Sequence, residues 1–415
     1  MSTLVLTLCK PIISFHVTRV ELNHGLHLAY CTNIHRGETW AETLEALKTH
    51  ALAVRNRVCP DRPFAIGLRL GELAARELAD PTQLRDFRRW LDSNKCYIFT
   101  INGFPYGPFH GARVKESVYT PDWTTPERLD YTRRLFDLLA ALLPPGVAGS
   151  VSTLPGSFKA FGCGPEQLAA IRGNLWRCVE HIAQVSHASG RLLHLGLEPE
   201  PLCLLENSRE TANFFAQMRQ DRPQDDRLDQ FLGVNYDTCH LAVEFAEPRA
   251  ALGLLREAGI KISKIHLSSA LKTVPTAAAR AALRKFADKV YLHQVVARDP
   301  TGNLSFYQDL PDALASPSLP ADLAAAGSEW RIHFHVPLHA PAAAPFANTN
   351  DHLLGTLDVL AENPGLCAHL EMETYTWEVL PEELKTRSVV DQLADEYAWT
   401  LARLAERGFS LPPSR

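Results

Sequence analysis

The stretch Leu193-His194-Leu195-Gly196-Leu197-Glu198-Pro199-Glu200-Pro201 is an apolar run that ends abruptly in two carboxylates, each followed by proline. Alternation puts Gly196, Glu198 and Glu200 on one face. The prolines restrict their own backbone and that of the residue before, so the second acid is fixed on both sides at the end of a strand, Leu193 to Leu197. The same construction, a short apolar run rich in β-branched or aromatic residues ending in small or polar ones, recurs along the chain. It reads as strands at Leu26 to Tyr30, Phe64 to Leu68, Tyr97 to Ile101, Ala148 to Ser152, Gly233 to Tyr236, Ile262 to Leu267 and His369 to Met372. Between them, residues 41–57, 81–94, 126–143, 165–188, 208–218 and 247–258 carry apolar residues at helical spacing. Eight strands alternating with helices predict a closed parallel (β/α)8 barrel of the TIM type. An open doubly wound sheet usually has fewer strands and a glycine-rich phosphate loop after the first. Here the first strand runs into Cys31-Thr32-Asn33-Ile34-His35 with no GxGxxG or Walker pattern, so no nucleotide cofactor is expected.

The 415 residues exceed the roughly 250 of a plain barrel. We expect one barrel domain over 1–415, with its core at about 26–385, a C-terminal helix at about 389–407, and the surplus in long βα loops. Residues 101–122, rich in glycine, proline and aromatics, read as a loop over the barrel mouth. Residues 290–310 read as a β-hairpin, with strands at Val290 to Val296 and Leu304 to Tyr307 around a Pro300-Thr301-Gly302-Asn303 turn. A further strand runs from Trp330 to Val336, and Ala313 to Ala326 reads as a surface connection.

Apolar residues make up 46% and charged residues 21%, the mixture of a globular protein. The net charge of -5 (42 Lys+Arg against 47 Asp+Glu) carries no basic excess, which argues against nucleic acid as the partner. No apolar stretch reaches the roughly 18 to 20 residues of a membrane helix, so membrane insertion is not expected and a cytoplasmic location is. The nine cysteines are spread singly with no CxxC pair, which excludes a cysteine zinc knuckle and a disulfide framework.

The last four barrel strands finish, in order, with Glu198, Asp237, His266 and Glu371. A barrel gathers its strand ends into one ring, so these four converge although they are far apart in sequence. Three carboxylates and an imidazole without thiolate suit a divalent ion such as Mn²⁺, Mg²⁺, Co²⁺ or Zn²⁺. Without a cation, so many buried carboxylates would repel one another. His240 follows Asp237 by three residues, a spacing that brings both to one site, and Glu373 shares a face with Glu371.

The order Glu, Asp-x-x-His, His, Glu on successive late strands resembles the xylose-isomerase-like barrels, which include sugar isomerases, keto-sugar 3-epimerases and the endonuclease IV type of repair enzyme. Longer motifs, Tyr30-Cys31-Thr32-Asn33-Ile34-His35, Thr100 to Gly107, Val151 to Pro155, Leu197 to Pro201 and Leu370 to Glu378, are similar to the metabolite-traffic protein EboE family over about residues 25 to 405. That resemblance implies a cytoplasmic protein handling a small metabolite for the biosynthesis or export of a specialised product, alone, as a homo-oligomer or with pathway proteins. It also implies Glu198, Asp237, His266 and Glu371 as metal ligands, with Glu198 and Glu371 as the acid/base pair.

By the same resemblance, His240, His333 and His335, with Glu200 and Glu373, are candidates for an additional metal or for substrate, and His35 or His110 for an early-strand ligand. Substrate-binding candidates are Arg69, Asn102, Lys159 and Trp377. Arg69 either meets a substrate anion or balances Glu198 or Glu371, and Lys159 either neutralises an anionic ligand or lies in solvent. Phe104, Tyr106, Tyr375 and Trp377 either line an apolar pocket or pack the loops. Three functions follow, in descending order: a metal-dependent isomerase or epimerase on a sugar-like or polyol-like metabolite, a non-catalytic binder of such a metabolite, and a zinc-dependent abasic-site endonuclease.

Overall fold

The computed structural model describes residues 21–411 apart from 112, 318–326, 342, 382–384 and 386. Among the described residues, fourteen strands form two sheets. The first contains β1 (Glu21–Leu22), β2 (Leu26–Tyr30), β3 (Phe64–Arg69), β4 (Cys96–Asn102), β5 (Gly149–Thr153), β6 (Leu193–Leu197), β7 (Leu232–Asp237), β8 (Lys261–Leu267) and β14 (His369–Met372). Its order is β1-β2-β14-β8-β7-β6-β5-β4-β3. All neighbours from β2 to β3 are parallel, and a bridge between Cys31 and Gly67 brings the two ends of the row together. The expected α/β TIM barrel is therefore present, with the short β1 added antiparallel to β2.

Helices stand between the strands. Those at Pro81–Ser93, Pro126–Leu142, Pro165–Ser189 and Pro248–Glu257 each open on a proline, whose fixed φ suits a first helical turn and whose missing N–H costs no bond there. The expected helix over 41–57 is interrupted: a π-helical turn at Leu47–Ala51 separates Trp40–Ala46 from Leu52–Val58. The final helix spans Val389–Ala405.

The second sheet has the order β11-β10-β12-β9-β13 and is built from the chain between β8 and β14. Its strands are β9 (Ala270–Thr273), β10 (Val295–Arg298), β11 (Leu304–Tyr307), β12 (Glu329–His335) and β13 (Phe346–Asn348). The expected hairpin is β10 and β11, paired from Val295 with Tyr307 to Arg298 with Leu304. Residues 290–294 stay outside its ladder, because the Val290 carbonyl instead accepts the N–H groups of Val114 (2.8 Å) and Lys115 (2.9 Å), tying the 101–122 loop down. The expected connection at 313–326 begins as the end of a short helix, Leu310–Ala315, and its remainder from 318 lies outside the described residues.

Inside the barrel the N-terminal layer is unusual. Where branched aliphatics commonly fill such a layer, β2, β6 and β14 contribute His27, His194 and His369. The rings of His194 and His369 stack at 5.3 Å, His369 Nδ1 lies 2.8 Å from Ser150 Oγ, and His27 Nδ1 lies 3.0 Å from the Tyr97 hydroxyl. Burial, reinforced by Lys261, lowers His194 to about 3, and burial beside the other two imidazoles holds His369 well below the usual histidine range.

Candidate metal centre

Above that layer Lys264 and Glu371 form an ion pair, Nζ to Oε2 2.5 Å, with both side chains at most 1% exposed. Lys264 also donates to Ser152 Oγ at 3.1 Å. Glu371 fits because β3 carries Gly67 opposite it: a Cβ there would stand 1.9 Å from Glu371 Oε1. The Glu371 Oε2 also accepts from His266 Nε2 at 2.8 Å. Burial works to raise Glu371, but Lys264 and His266 outweigh it and bring the carboxyl to about 2.

With Nε2 donating to Glu371, His266 presents its other nitrogen to the barrel mouth. Nδ1 lies 3.0 Å from Glu198 Oε1, 3.1 Å from Glu373 Oε2 and 3.4 Å from Asp237 Oδ2. One donor atom from each of Glu198, Asp237, His266 and Glu373 lies within 4.8 Å of the others, and all four residues are buried. Backbone bonds just past the strand ends hold two of them, from Glu198 N–H to the Thr153 carbonyl (3.0 Å) and from Glu373 N–H to the Leu267 carbonyl (3.1 Å).

The carboxylates divide their oxygens. Asp237 Oδ1 caps the helix Thr238–Val243, accepting from Cys239 N (2.7 Å) and His240 N (2.9 Å), and it accepts from Ser268 Oγ at 2.6 Å. Its Oδ2 is buried with no hydrogen-bond partner, as is Glu198 Oε2. Glu373 Oε1 accepts from Asn33 Nδ2 (2.7 Å) and Asn102 Nδ2 (3.0 Å), which leaves Oε2 toward His266. Burial opposes ionisation of Asp237, yet His240 and His266 hold it well below the carboxylate range. Likewise the Glu373 and Glu198 carboxylates overcome burial and raise His266 well above its ordinary value.

Lys264 balances only Glu371, so Glu198, Asp237 and Glu373 converge with orphaned oxygens and imidazoles alone for compensation. That donor set fits a hard or borderline divalent cation. A His N–H donating to a carboxylate behind a metal-facing nitrogen is the common arrangement of a metal-bound histidine, and Glu371 and His266 have it.

A second group lies beside the first. One donor atom from each of Glu200, His240 and His333 lies within 4.8 Å of the others, and the same holds for Asp237, His240 and His335. His333 Nε2 and His335 Nε2 are 3.3 Å apart, and His333 Nδ1 is 3.5 Å from Glu200 Oε1. Glu200 accepts from the Tyr119 hydroxyl at 2.6 Å and from Gln294 Nε2 at 3.3 Å, and burial pushes its carboxyl up to about 7. A cavity of about 60 Å³ opens onto Glu198, Glu200, His240, His333 and Glu373.

Several expectations change here. Glu371, read as fourth ligand and catalytic base, lies behind His266 and does not line the cavity; Glu373 stands in the four-residue group instead. Arg69 meets neither Glu198 nor Glu371. Its guanidinium is buried among the Gly37 carbonyl (2.9 Å), the Gly107 carbonyl (2.7 Å) and Glu38 (3.2 Å), clamping the mouth loop. Lys159 points away from the cavity to Glu206 (2.6 Å) and Glu210 (3.2 Å).

Trp377 packs on the apolar cluster beneath the second sheet, away from this cavity. Asn102 does line the cavity, with its amide spent on Glu373. Phe104 and Tyr375 line it too, whereas Tyr106 packs on Tyr131. His35 stacks on His50 at 4.5 Å, and His110 Nε2 donates to the Asn33 carbonyl at 2.7 Å, so neither belongs to the metal group. The sequence reading missed Lys264, Asn33, Tyr119 and Gln294.

Among solved structures, a xylose isomerase-like TIM-barrel protein from Mycobacterium smegmatis in complex with magnesium superposes with a TM-score of 0.51 at 12% identity, covering 92% of this chain and 98% of that one. An L-ribulose 3-epimerase gives 0.48 at 13% identity (92% and 95% covered), and a D-psicose 3-epimerase from Clostridium cellulolyticum H10 with D-tagatose gives 0.47 at 11% (91% and 98%). At these identities the likeness is one of fold: this chain shares the TIM-barrel fold of the Mycobacterium smegmatis protein. No family model and no curated protein matches the chain, so the EboE resemblance gains no support beyond its motifs. No helix among the described residues is long and apolar enough to cross a membrane.

Proposed function

We propose that the protein is a divalent-metal-dependent isomerase or epimerase acting on a small sugar-like or polyol-like metabolite. Glu198, Asp237, His266 and Glu373 would hold the ion, and their convergence at the ends of four barrel strands beneath a cavity carries the reading. When bound, the ion would polarise a substrate carbonyl and its neighbouring hydroxyl, acidifying the C–H between them. Glu198 and Glu373 line the cavity and are the proton-transfer pair: one takes the proton from that carbon and the other returns one. Asn33 and Asn102 hold Glu373 in place, and Glu371 fixes the orientation of His266. His240, His333 and Glu200 face the same cavity and take either the far hydroxyls of the substrate or a second ion. The specialised-metabolite setting is the one the sequence motifs suggest.

The test is metal analysis of protein purified without a metal-affinity tag, beside a Glu198→Gln/Glu373→Gln variant, followed by solvent-deuterium exchange into a ketose panel. We expect one ion per chain, or two if the histidine group also binds one, loss in the variant, and deuterium at the carbon next to the carbonyl. No metal in either protein after adding Mn²⁺, Co²⁺ or Zn²⁺ overturns the reading. Metal without exchange on any ketose reassigns the protein to binding and handling.

A further inference from the structure

The walls of the cavity point to a more particular substrate than a free sugar. Opposite the carboxylates they are made by Phe104, Phe109 and Val118 of the 101–122 loop, Tyr291 and Leu292 before the hairpin, and Tyr375 after β14. Three separate segments thus bring apolar side chains to one place. Phe109, Tyr291 and Tyr375 pack edge to face or tilted with ring centroids 5.2 to 5.3 Å apart, forming an apolar cluster distinct from the barrel core. Arg69 and the Phe109 N–H both bind Glu38, at 3.2 and 2.9 Å, so this roof is held in register with the barrel.

Several polar side chains of the wall are already engaged. Asn33 and Asn102 donate to Glu373, Tyr119 donates to Glu200, and Lys115 Nζ sits between Asp309 (2.5 Å) and the Asp288 carbonyl (3.3 Å). Lys115 is the sole lysine or arginine among the lining residues, and it is paired. Away from the Glu200, His240 and His333 group, a free hexose would present hydroxyls to a wall with few open partners, and a sugar phosphate would find no unpaired lysine or arginine; there both would lose hydration with little compensation.

We propose that the substrate is amphiphilic. A chelating hydroxy-carbonyl or vicinal diol faces Glu198 and Glu373, and a ring or alkyl substituent lies against Phe104, Phe109, Val118 and Leu292. This rests on the metal reading of the site and narrows it. The substituent supplies binding through its buried apolar surface, while the polar end supplies orientation.

The probes are acetohydroxamate and benzohydroxamate, bidentate oxygen chelators that differ only in methyl against phenyl. Their dissociation constants are measured on the Co²⁺-loaded full chain by visible absorption and corrected for each probe's affinity for free Co²⁺. Benzohydroxamate should bind at least about tenfold tighter. Val118→Asp, and separately Leu292→Asn, should each remove that preference while changing acetohydroxamate by less than about twofold. Equal corrected affinities for the two probes, or a preference that survives in both variants, overturns the amphiphile and leaves the metal reading standing. A chain that takes up no Co²⁺ overturns both.

Discussion

Replacing Glu371 by Gln separates a ligand from the residue that aims a ligand. The change keeps the shape beside Gly67 but removes the charge that faces Lys264 at 2.5 Å and His266 Nε2 at 2.8 Å. Two effects follow. Lys264 becomes a buried cation without its carboxylate, a situation that commonly costs about 3 to 5 kcal/mol of stability. His266 keeps an acceptor in the amide oxygen but loses the charged partner that fixes its tautomer. Loss of such a partner typically weakens metal affinity about 10- to 100-fold, or about 1.4 to 2.7 kcal/mol. Glu373→Gln instead removes a donor from the four-residue group and should lower affinity much further with less loss of stability. Chelator competition with Zn²⁺ gives the affinities, and urea unfolding of the metal-free proteins gives the stabilities. The reasoning is refuted if Glu371→Gln abolishes binding while Glu373→Gln retains it.

Gly67→Ala would put a Cβ 1.9 Å from Glu371 Oε1 and 2.7 Å from the Tyr30 carbonyl, so we expect a loss of about 1 to 3 kcal/mol in urea unfolding and weaker metal binding. The buried His194 should make the fold acid-labile. Its folded value of about 3 lies below the roughly 6.5 of an unfolded histidine, so only the unfolded chain takes the proton between those values and stability falls as pH drops through that window. At pH 5 this amounts to about 2 kcal/mol, and His194→Leu should narrow the stability gap between pH 7.5 and pH 5 by that much; an unchanged gap in urea titrations contradicts it. Lys159→Met should leave both Zn²⁺ affinity and hydroxamate binding within about twofold, since its ammonium is turned to Glu206 and Glu210 and surface pairs contribute little.

The barrel was legible because its eight strands are apolar runs and most are followed by a helical segment, a local pattern repeated often enough to count. Glu198 and Asp237 were legible for the same reason: one follows β6 directly and the other ends β7. Which of Glu371 and Glu373 joins the other three was not legible, because they share a face and alternation cannot say how deep in the barrel a side chain lies. Depth is set by register, and Glu371 pairs level with His266 in β14 and β8, which puts Glu373 one step higher. Lys264 carried an unused signal, standing two residues before His266 and therefore on the same inward face of β8. Asn33, Tyr119 and Gln294 come from irregular segments, where no periodicity marks which side chains turn inward. The second sheet was read only as a hairpin and a strand, because β9 and β13 are short and β9 finds its partners β12 and β13 far along the chain.

The place of β14 between β2 and β8 has a bearing on the protein's birth. A chain is made from its N-terminus, and here the strand that joins the first barrel strand to the seventh is the last to leave the ribosome. Until it does, Glu198, Asp237 and His266 lack Glu373, and Lys264 waits without Glu371. The nascent barrel is an open trough with an uncompensated ammonium inside, poorly suited to hold an ion. Closure of the ring, neutralisation of that charge and arrival of the fourth acid of the group are one event, so a site of the kind proposed is assembled only when β14 joins the barrel.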